Sequence, residues 1–375
     1  MRIGFDAKRA FYNNTGLGNY SRDSIRLLSN FYTNNKYFLY TPNNKYNKRL
    51  DFFKERKNIF IRSPKSLLDK ALKSYWRSKS IVRDLFTNKI DVYHGLSHEL
   101  PIGIEKTNIK TVVTIHDLIF IRYPKLFRII DRKIYHKKFK SAVERADKVI
   151  AISKQTKDDI INFFSIPEEK IEVVYQGCNK IFQKEINKEM KEEVIYKYNL
   201  PNKYLLYVGS IEERKNLLTL LYTLKELPDQ KLVVIGNGKS YKKKCVKYIS
   251  ENGLFDRIIF LSKIEIEEMA SIYQNAEILI YPSLFEGFGL PILEALFSKL
   301  PVITSKGGCF AETGGPYSKY ISPLSVEEMK KAILEIQDSK EIQKLMKNKG
   351  IEYAQRFTDD KIAKNIMKVY DSLLN

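Results

Sequence analysis

Two glutamates, Glu286 and Glu294, stand with seven residues between them in the stretch YPSLFEGFGLPILEALFSKLPVITS, residues 281–305. Carboxylates accept hydrogen bonds from hydroxyl groups, and paired ones can hold a polyol. An isolated pair at this spacing is ordinary, with one glutamate on a solvated helix face and the other a loop charge. The flanks argue otherwise. Glu286 runs directly into Gly287, Phe288, Gly289, Leu290 and Pro291, a loop that surface charges alone do not require. Glycine lets the backbone approach a ligand closely, and proline at the start of a helix sacrifices no hydrogen bond. The free N–H groups of such a helix start face an anion.

The elements that must position this chemistry are legible around it. The apolar run 277–281 (EILIY) predicts a buried strand, ended by Pro282-Ser283. Ile292, Leu293, Leu296 and Phe297 give the following helix an apolar face, and 301–304 predicts a second buried strand. Strand, glycine turn, helix and strand form a βαβ unit. In spacing and flanks this stretch resembles the nucleotide-sugar signature of the retaining glycosyltransferases of the GT-B fold, family 4. The resemblance implies two doubly wound, Rossmann-like α/β domains facing across a cleft, with a nucleotide-sugar held by the C-terminal one and an acceptor received by the other. It further implies transfer with retention of configuration, without a metal or cofactor. Glu286 would bind the sugar at the reacting centre, Glu294 the ribose hydroxyls, and Gly287, Phe288, Gly289 and Leu290 would line the donor.

Other turns at predicted strand ends fit the same pattern. Residues 203–209 (KYLLYVG) open a second βαβ series whose turn carries Arg214 and Lys215 before an apolar helix. They could be surface charges; beside a diphosphate, Arg makes bidentate contacts and Lys acts as a point charge. The G-x-x-x-x-R-K-N spacing from Gly209 resembles the family, with two departures: Ser210 where some relatives carry arginine, and Glu213 where proline is common. Glu213 is therefore expected to point outward. In relatives the nucleobase is read through backbone groups, here near Lys263 and Ile264. In the first half, Gly16 and Gly18 occupy the loop after the first predicted strand, which borders the donor or acceptor in the family. The predicted strand 111–115 ends in His116-Asp117, where open α/β sheets place ligand groups. The resemblance puts His116 beside the transferred sugar, with Asp117 as the nearest carboxylate. His94, His98 and His136 read as structural.

The chain has 375 residues, enough for two domains. The expected division is an acceptor domain over 1–182, a linker over 183–200, a nucleotide-sugar domain over 201–358, and a last helix, 359–375, packing back on the first domain. A net charge of +21 suggests an acidic partner: a nucleotide-sugar, nucleic acid or an anionic membrane. Two stretches in the first half combine cations with apolar and aromatic residues. One carries Lys70, Lys73, Trp76, Arg77 and Lys79; the other, 122–140, carries Phe127, Arg128 and six further cations besides Arg122, against Asp131 alone. Each is equally readable as a solvated helix face; together they favour an anionic membrane surface, each basic group adding about 1 kcal/mol near it.

Cys178, Cys245 and Cys309 are widely separated and odd in number, which fits a reduced cytoplasmic protein better than disulfides or a zinc site. No apolar run approaches the length of a membrane span, and the first residues lead straight into a predicted strand. The expected place is therefore the cytoplasm, at the inner face of the plasma membrane. The sequence resembles mannosyl- and rhamnosyl-type enzymes of cell-surface polysaccharide and lipopolysaccharide assembly, making GDP-mannose the first donor candidate and a glycan or lipid-linked molecule the acceptor. Three rivals rank below transfer. A glycoside hydrolase needs no glycine turn or Arg-Lys pair beside its carboxylates. A nucleic-acid-binding protein would explain the charge, but no nucleic-acid module is present. A GT-B-fold nucleotide-sugar epimerase would share the architecture and differ in its product.

Overall fold

A computed structural model describes residues 1–44, 48–54 and 56–374. The chain divides into two compact units, residues 1–176 with 359–375, and residues 177–358.

The first unit contains β1 (Arg2–Asp6), β2 (Lys36–Tyr40), β3 (Ile59–Arg62), β4 (Val92–Gly95), β5 (Lys110–Ile115), β6 (Lys148–Ala151) and β7 (Ile171–Val173). They form one sheet in the order β3-β2-β1-β4-β5-β6-β7, parallel at every junction. The second unit contains β8 (Leu205–Val208), β9 (Leu232–Ile235), β10 (Ile258–Leu261), β11 (Ile278–Tyr281), β12 (Val302–Ser305) and β13 (Lys319–Ile321). Their order is β10-β9-β8-β11-β12-β13, again parallel throughout. Runs such as LVVI and ILIY are buried along their whole length, as strands covered on both faces by helices must be. The strand order reverses between β1 and β4 in one sheet and between β8 and β11 in the other. Open α/β sheets bind ligands outside the carboxyl ends of the strands at that reversal.

β1, β5, β8, β11 and β12 fall where the sequence predicts strands, whereas the three residues KYI of β13 are too short for a periodic signal. Ser153 caps the helix Lys154–Phe164, its Oγ accepting the N–H of Thr156 at 3.1 Å. The segment expected as a linker is different. Residues 188–198 form a helix, capped by Asn187, that belongs to the second unit. It is fastened to the helix Ile266–Asn275 by Glu268, which pairs with Lys197 and accepts the Tyr198 hydroxyl at 2.7 Å. Its polarity is that of a surface helix with one packed edge.

The C-terminal helix Asp359–Leu374 falls with the first unit. Tyr370, fully buried, meets His94 Nδ1 at 2.6 Å, and His94 Nε2 meets the Thr114 hydroxyl at 2.8 Å. Arg26 pairs with Asp359 at 2.9 Å. His94, buried and held at a pKa of about 3, is a neutral structural residue.

Two of the residues expected at a membrane surface are elsewhere. Trp76 is completely buried and donates its indole N–H to Asp84 at 2.7 Å. Arg77, half-buried, pairs with Asp6 at the end of β1 (2.6 Å) and with Glu99 beyond β4. Both lie in a wider, π-type turn, Trp76–Ser80, where the ordinary helical register that would expose them is interrupted. Lys70, Lys79 and Arg128 are exposed, and Lys73 and Phe127 are half-buried.

Candidate active site

At the reversal of the second sheet, β8 and β11 lie side by side, Leu206 opposite Leu279. The turn after β8 starts at Gly209 (φ +150°). A Cβ on Gly236, after β9, would sit 1.9 Å from the Gly209 carbonyl oxygen, so the two turns pass in backbone contact that only glycine permits. A short helical turn, Glu213–Lys215, then brings Arg214 and Lys215 inward, while Glu213 faces out and pairs with Lys244 at 3.0 Å.

The turn after β11 supplies the counter-charge. Glu286 Oε1 lies 2.7 Å from Arg214 Nη1 and 2.6 Å from Lys215 Nζ. Arg214 also donates to the Phe285 carbonyl at 2.6 Å, and the Leu284 N–H donates to the Arg214 carbonyl at 2.8 Å. Lys215 donates to the Tyr281 hydroxyl at 2.7 Å. Burial would raise the Glu286 carboxyl; Lys215 and then Arg214 reverse that and hold it below the usual range. Glu286 is thus an ionised carboxylate between two cations, and Arg214 also pairs with Glu212 at 2.8 Å, so two cations face two carboxylates. The loop carrying it has no regular structure and is pinned from behind. Ser305 Oγ donates to the Ser283 carbonyl (2.6 Å), Cys309 Sγ to that of Glu286 (3.2 Å) and Thr313 Oγ1 to that of Phe288 (2.5 Å).

Gly289, at φ +98°, turns this loop into the helix Leu290–Phe297, with Pro291 as its second residue and no side-chain cap on its first turn. Glu294 Oε2 accepts the hydroxyl of buried Tyr273 at 2.8 Å. Burial raises the Glu294 pKa to about 7, and the Tyr273 hydroxyl opposes the rise. Tyr273 and Tyr281 are the members that sequence reasoning missed. Tyr281 ends an apolar strand and Tyr273 lies on the buried face of an amphipathic helix, so each reads as core until the fold points its hydroxyl at a lysine or an acid. Lys263, at φ +57°, and Ile264 follow β10, at the same sheet edge but two strands away from β8.

The first unit presents its own strand ends. His116, immediately after β5, is buried; one ring nitrogen, Nε2, lies 2.9 Å from the Leu96 carbonyl oxygen. A carbonyl only accepts, so the proton is on Nε2 and Nδ1 keeps its lone pair. Burial lowers the pKa to about 4, and the ring is neutral. Tyr20 packs edge-on against it, centroids 4.5 Å apart, and His98 lies 5.1 Å away. Asp117 Oδ1 accepts the Ile119 N–H at 3.1 Å at the start of the next helical turn. Gly18 has a packing reason, since a Cβ there would lie 1.8 Å from the Asn13 carbonyl oxygen; Gly16 has open space around it.

Residues 188–357 match the family described as Glycosyl transferases group 1, and residues 34–180 match Glycosyltransferase Family 4. The chain is a family 4 glycosyltransferase. The first match contains the whole Arg214–Lys215–Glu286–Glu294 arrangement, and the second contains His116, while Gly16 and Gly18 precede both. Among relatives, the O-antigen chain mannosyltransferase RfbU of Salmonella typhimurium is 28% identical over 265 residues, 70% of this chain and 69% of the relative. The O-antigen chain mannosyltransferase B of Escherichia coli is 26% identical, over 75% of this chain and 74% of the relative. The crystal structure of HepE from Anabaena in complex with UDP-glucose superposes with a TM-score of 0.76 at 16% identity, covering 99% of this chain and 100% of the other. The family's GT-B fold accounts for both parallel sheets.

Proposed function

We propose that this enzyme moves a hexose, with mannose from GDP-mannose as the first candidate, to a glycan or lipid-linked acceptor in the assembly of a cell-surface polysaccharide. The observation that carries the reading is the buried Arg214–Lys215–Glu286 cluster at the carboxyl ends of β8 and β11. The mannosyltransferase relatives support the sugar and the pathway class, and the UDP-glucose complex of HepE supports a nucleotide-sugar donor.

In the reaction the anomeric carbon's bond to the diphosphate oxygen breaks while the acceptor hydroxyl oxygen bonds to that carbon. The hydroxyl proton leaves with the nucleoside diphosphate, and the resemblance gives retention of configuration. Arg214 and Lys215 hold the departing negative charge, assisted by the N–H groups starting the helix Leu290–Phe297. Glu286, fixed between them, accepts from the sugar hydroxyls. Glu294 accepts from the ribose hydroxyls, and His116 offers neutral Nδ1 to the transferred sugar. In this reading Arg214 and Lys215 take the place of a metal at the diphosphate. The excess of basic residues on the first unit suits work at an anionic membrane surface.

The test is a thermal-shift screen of nucleoside diphosphates and their sugars, followed by product analysis with EDTA present. A donor at 100 times its Kd adds about 2.7 kcal/mol of stability. GDP-mannose should give the largest shift, with transfer undiminished by EDTA. Preference for another nucleotide-sugar would replace the donor, and loss of rate in EDTA would overturn the metal-free reaction. Release of an isomerised sugar without an acceptor would favour the epimerase reading instead.

A further inference from the structure

On the first unit, well away in sequence from the donor cluster, a groove of about 440 Å³ is lined by Phe120, Ile121, Ile129, Arg132, Lys133 and His136. Its size is within the roughly 300–1,000 Å³ of ordinary small-molecule sites. The lining divides by chemistry. Phe120, Ile121 and Ile129 make an apolar wall; Arg132, Lys133 and His136 follow one another along the helix Ile129–Arg145 at the i, i+1, i+4 positions of a shared face.

Two observations give the groove an occupant. Arg132 Nε is shielded from solvent and, among the described residues, has no hydrogen-bond partner. A buried donor left unmade costs free energy that a ligand's acceptor can recover. The only acid between residues 122 and 140 is Asp131; Arg122, Lys138 and Lys140 pair with Asp159, Glu99 and Glu144 from outside the stretch, which leaves Arg132 and Lys133 as the cations an anion entering the groove would meet. The second observation is the rim. Ile129 and Ile130 are 68% and 71% exposed, far more than isolated core-facing residues of a helix in water would be. Glu99 pairs with both Arg77 and Lys138 (the latter at 3.1 Å), so the other basic-aromatic stretch meets this helix at one point.

We infer that the groove binds one anionic phospholipid of the membrane. Its phosphate sits on Arg132, Lys133 and His136, and the first methylenes of one chain lie along Phe120, Ile121 and Ile129. Phosphate explains the charges; an attached hydrocarbon chain explains why the site is half apolar. The inference rests on the reading that the first unit works at an anionic membrane, and it adds a stoichiometric site to a diffuse attraction. Such a site would fix the orientation of the unit on the surface, which smeared charge does not.

The test uses dihexanoyl phosphatidylglycerol below its micelle concentration, so that no surface is present, with binding to the full chain read by titration calorimetry. Inorganic phosphate and dihexanoyl phosphatidylcholine are the comparison arms. The glycerol lipid should bind at one per chain, at least tenfold tighter than either. Arg132→Gln should weaken it at least tenfold with an unchanged melting temperature, because its Nε has no hydrogen bond to lose among the described residues. Ile129→Asn should weaken the lipid and leave phosphate unaffected. Equal binding of phosphate and lipid would reduce the groove to an anion site and overturn the proposal, as would indifference to Arg132→Gln. Concentration-dependent self-association abolished by Arg132→Gln would assign the groove to a second copy, also overturning it. Sedimentation with phosphatidylglycerol vesicles separates the two readings. Vesicle binding without monomer binding sinks the groove and keeps the membrane surface; absence of both sinks both.

Discussion

Glu294 is an acid whose environment favours its neutral form, and its expected partner favours the ionised one. The half-buried carboxyl, at a pKa of about 7, is raised above its ordinary value. A raised group contributes stability below the unfolded pKa and loses it as pH rises through the folded one. Without donor, the melting temperature should therefore carry a component that declines towards pH 7, and Glu294→Gln should remove it. Ribose hydroxyls bind the carboxylate better than the acid, so donor affinity should rise through the same interval. A pH-independent affinity would disconnect Glu294 from the ribose. Lys215 poses the simpler question. Lys215→Ala leaves Glu286 with one cation and the diphosphate with one fewer, and loss of one such group costs on the order of 10²–10³ in kcat. Wild-type kinetics in that variant would remove the cluster from the mechanism. For His116→Ala the expected result is a split, with kcat falling much more than donor affinity. Equal losses, or a variant that fails to fold, would leave the imidazole only its bond to the Leu96 carbonyl.

Among the elements, the turn entering the helix Gly16–Phe31 separates two glycines that look alike in sequence. Gly18 lies against the Asn13 carbonyl, which Arg22 also holds at 2.8 Å. Gly18→Ala should cost about 1–3 kcal/mol by overpacking, whereas Gly16→Ala should be neutral. Urea denaturation checks both, and equal effects would refute the close-approach argument. The turn Trp76–Ser80 is a second case. Its Trp and Arg suggested a surface; the structure uses one as core and the other to join the loops after β1 and β4. Replacing Arg77 would leave the carboxylate of buried Asp6 without its cation, at about 3–5 kcal/mol.

At the scale of the whole molecule, the net charge is +21, and the proposed function assigns it to a diphosphate and an anionic surface. Among the described residues no helix is long and apolar enough to cross a membrane. The full chain should sediment with anionic but not neutral vesicles, and salt should release part of it, since attraction falls off within about 8 Å at physiological ionic strength. Exposed Leu67, Leu68, Ile129 and Ile130 would resist salt. Lys70→Gln with Lys79→Gln should weaken the binding and leave donor affinity unchanged. These two are exposed, so the change tests charge without unfolding, which Arg77 would not allow. Indifference to vesicle charge would point to a soluble acceptor.

The buried parallel strands, the helix start at Pro291 and the pairing of Glu286 with a glycine loop were legible in the sequence. Each is a local matter, set by apolar runs, backbone freedom and turn chemistry within a few residues. The outward Glu213 was legible for a different reason, since a carboxylate facing the expected diphosphate would oppose it. What only the tertiary structure decided were relations between residues far apart along the chain. Lys215 and Glu286 are 71 positions apart and in contact; Tyr273 reaches Glu294 across two elements. Strand order brings them together, and no spacing in the chain encodes that order. The same holds for Trp76, which shares its composition with a membrane-facing helix. Its burial depends on the local departure from regular helical pitch and on Asp84 standing ready to accept the indole N–H. Apolar and basic residues in one stretch define an amphipathic segment, and only packing chooses which side of it faces the core.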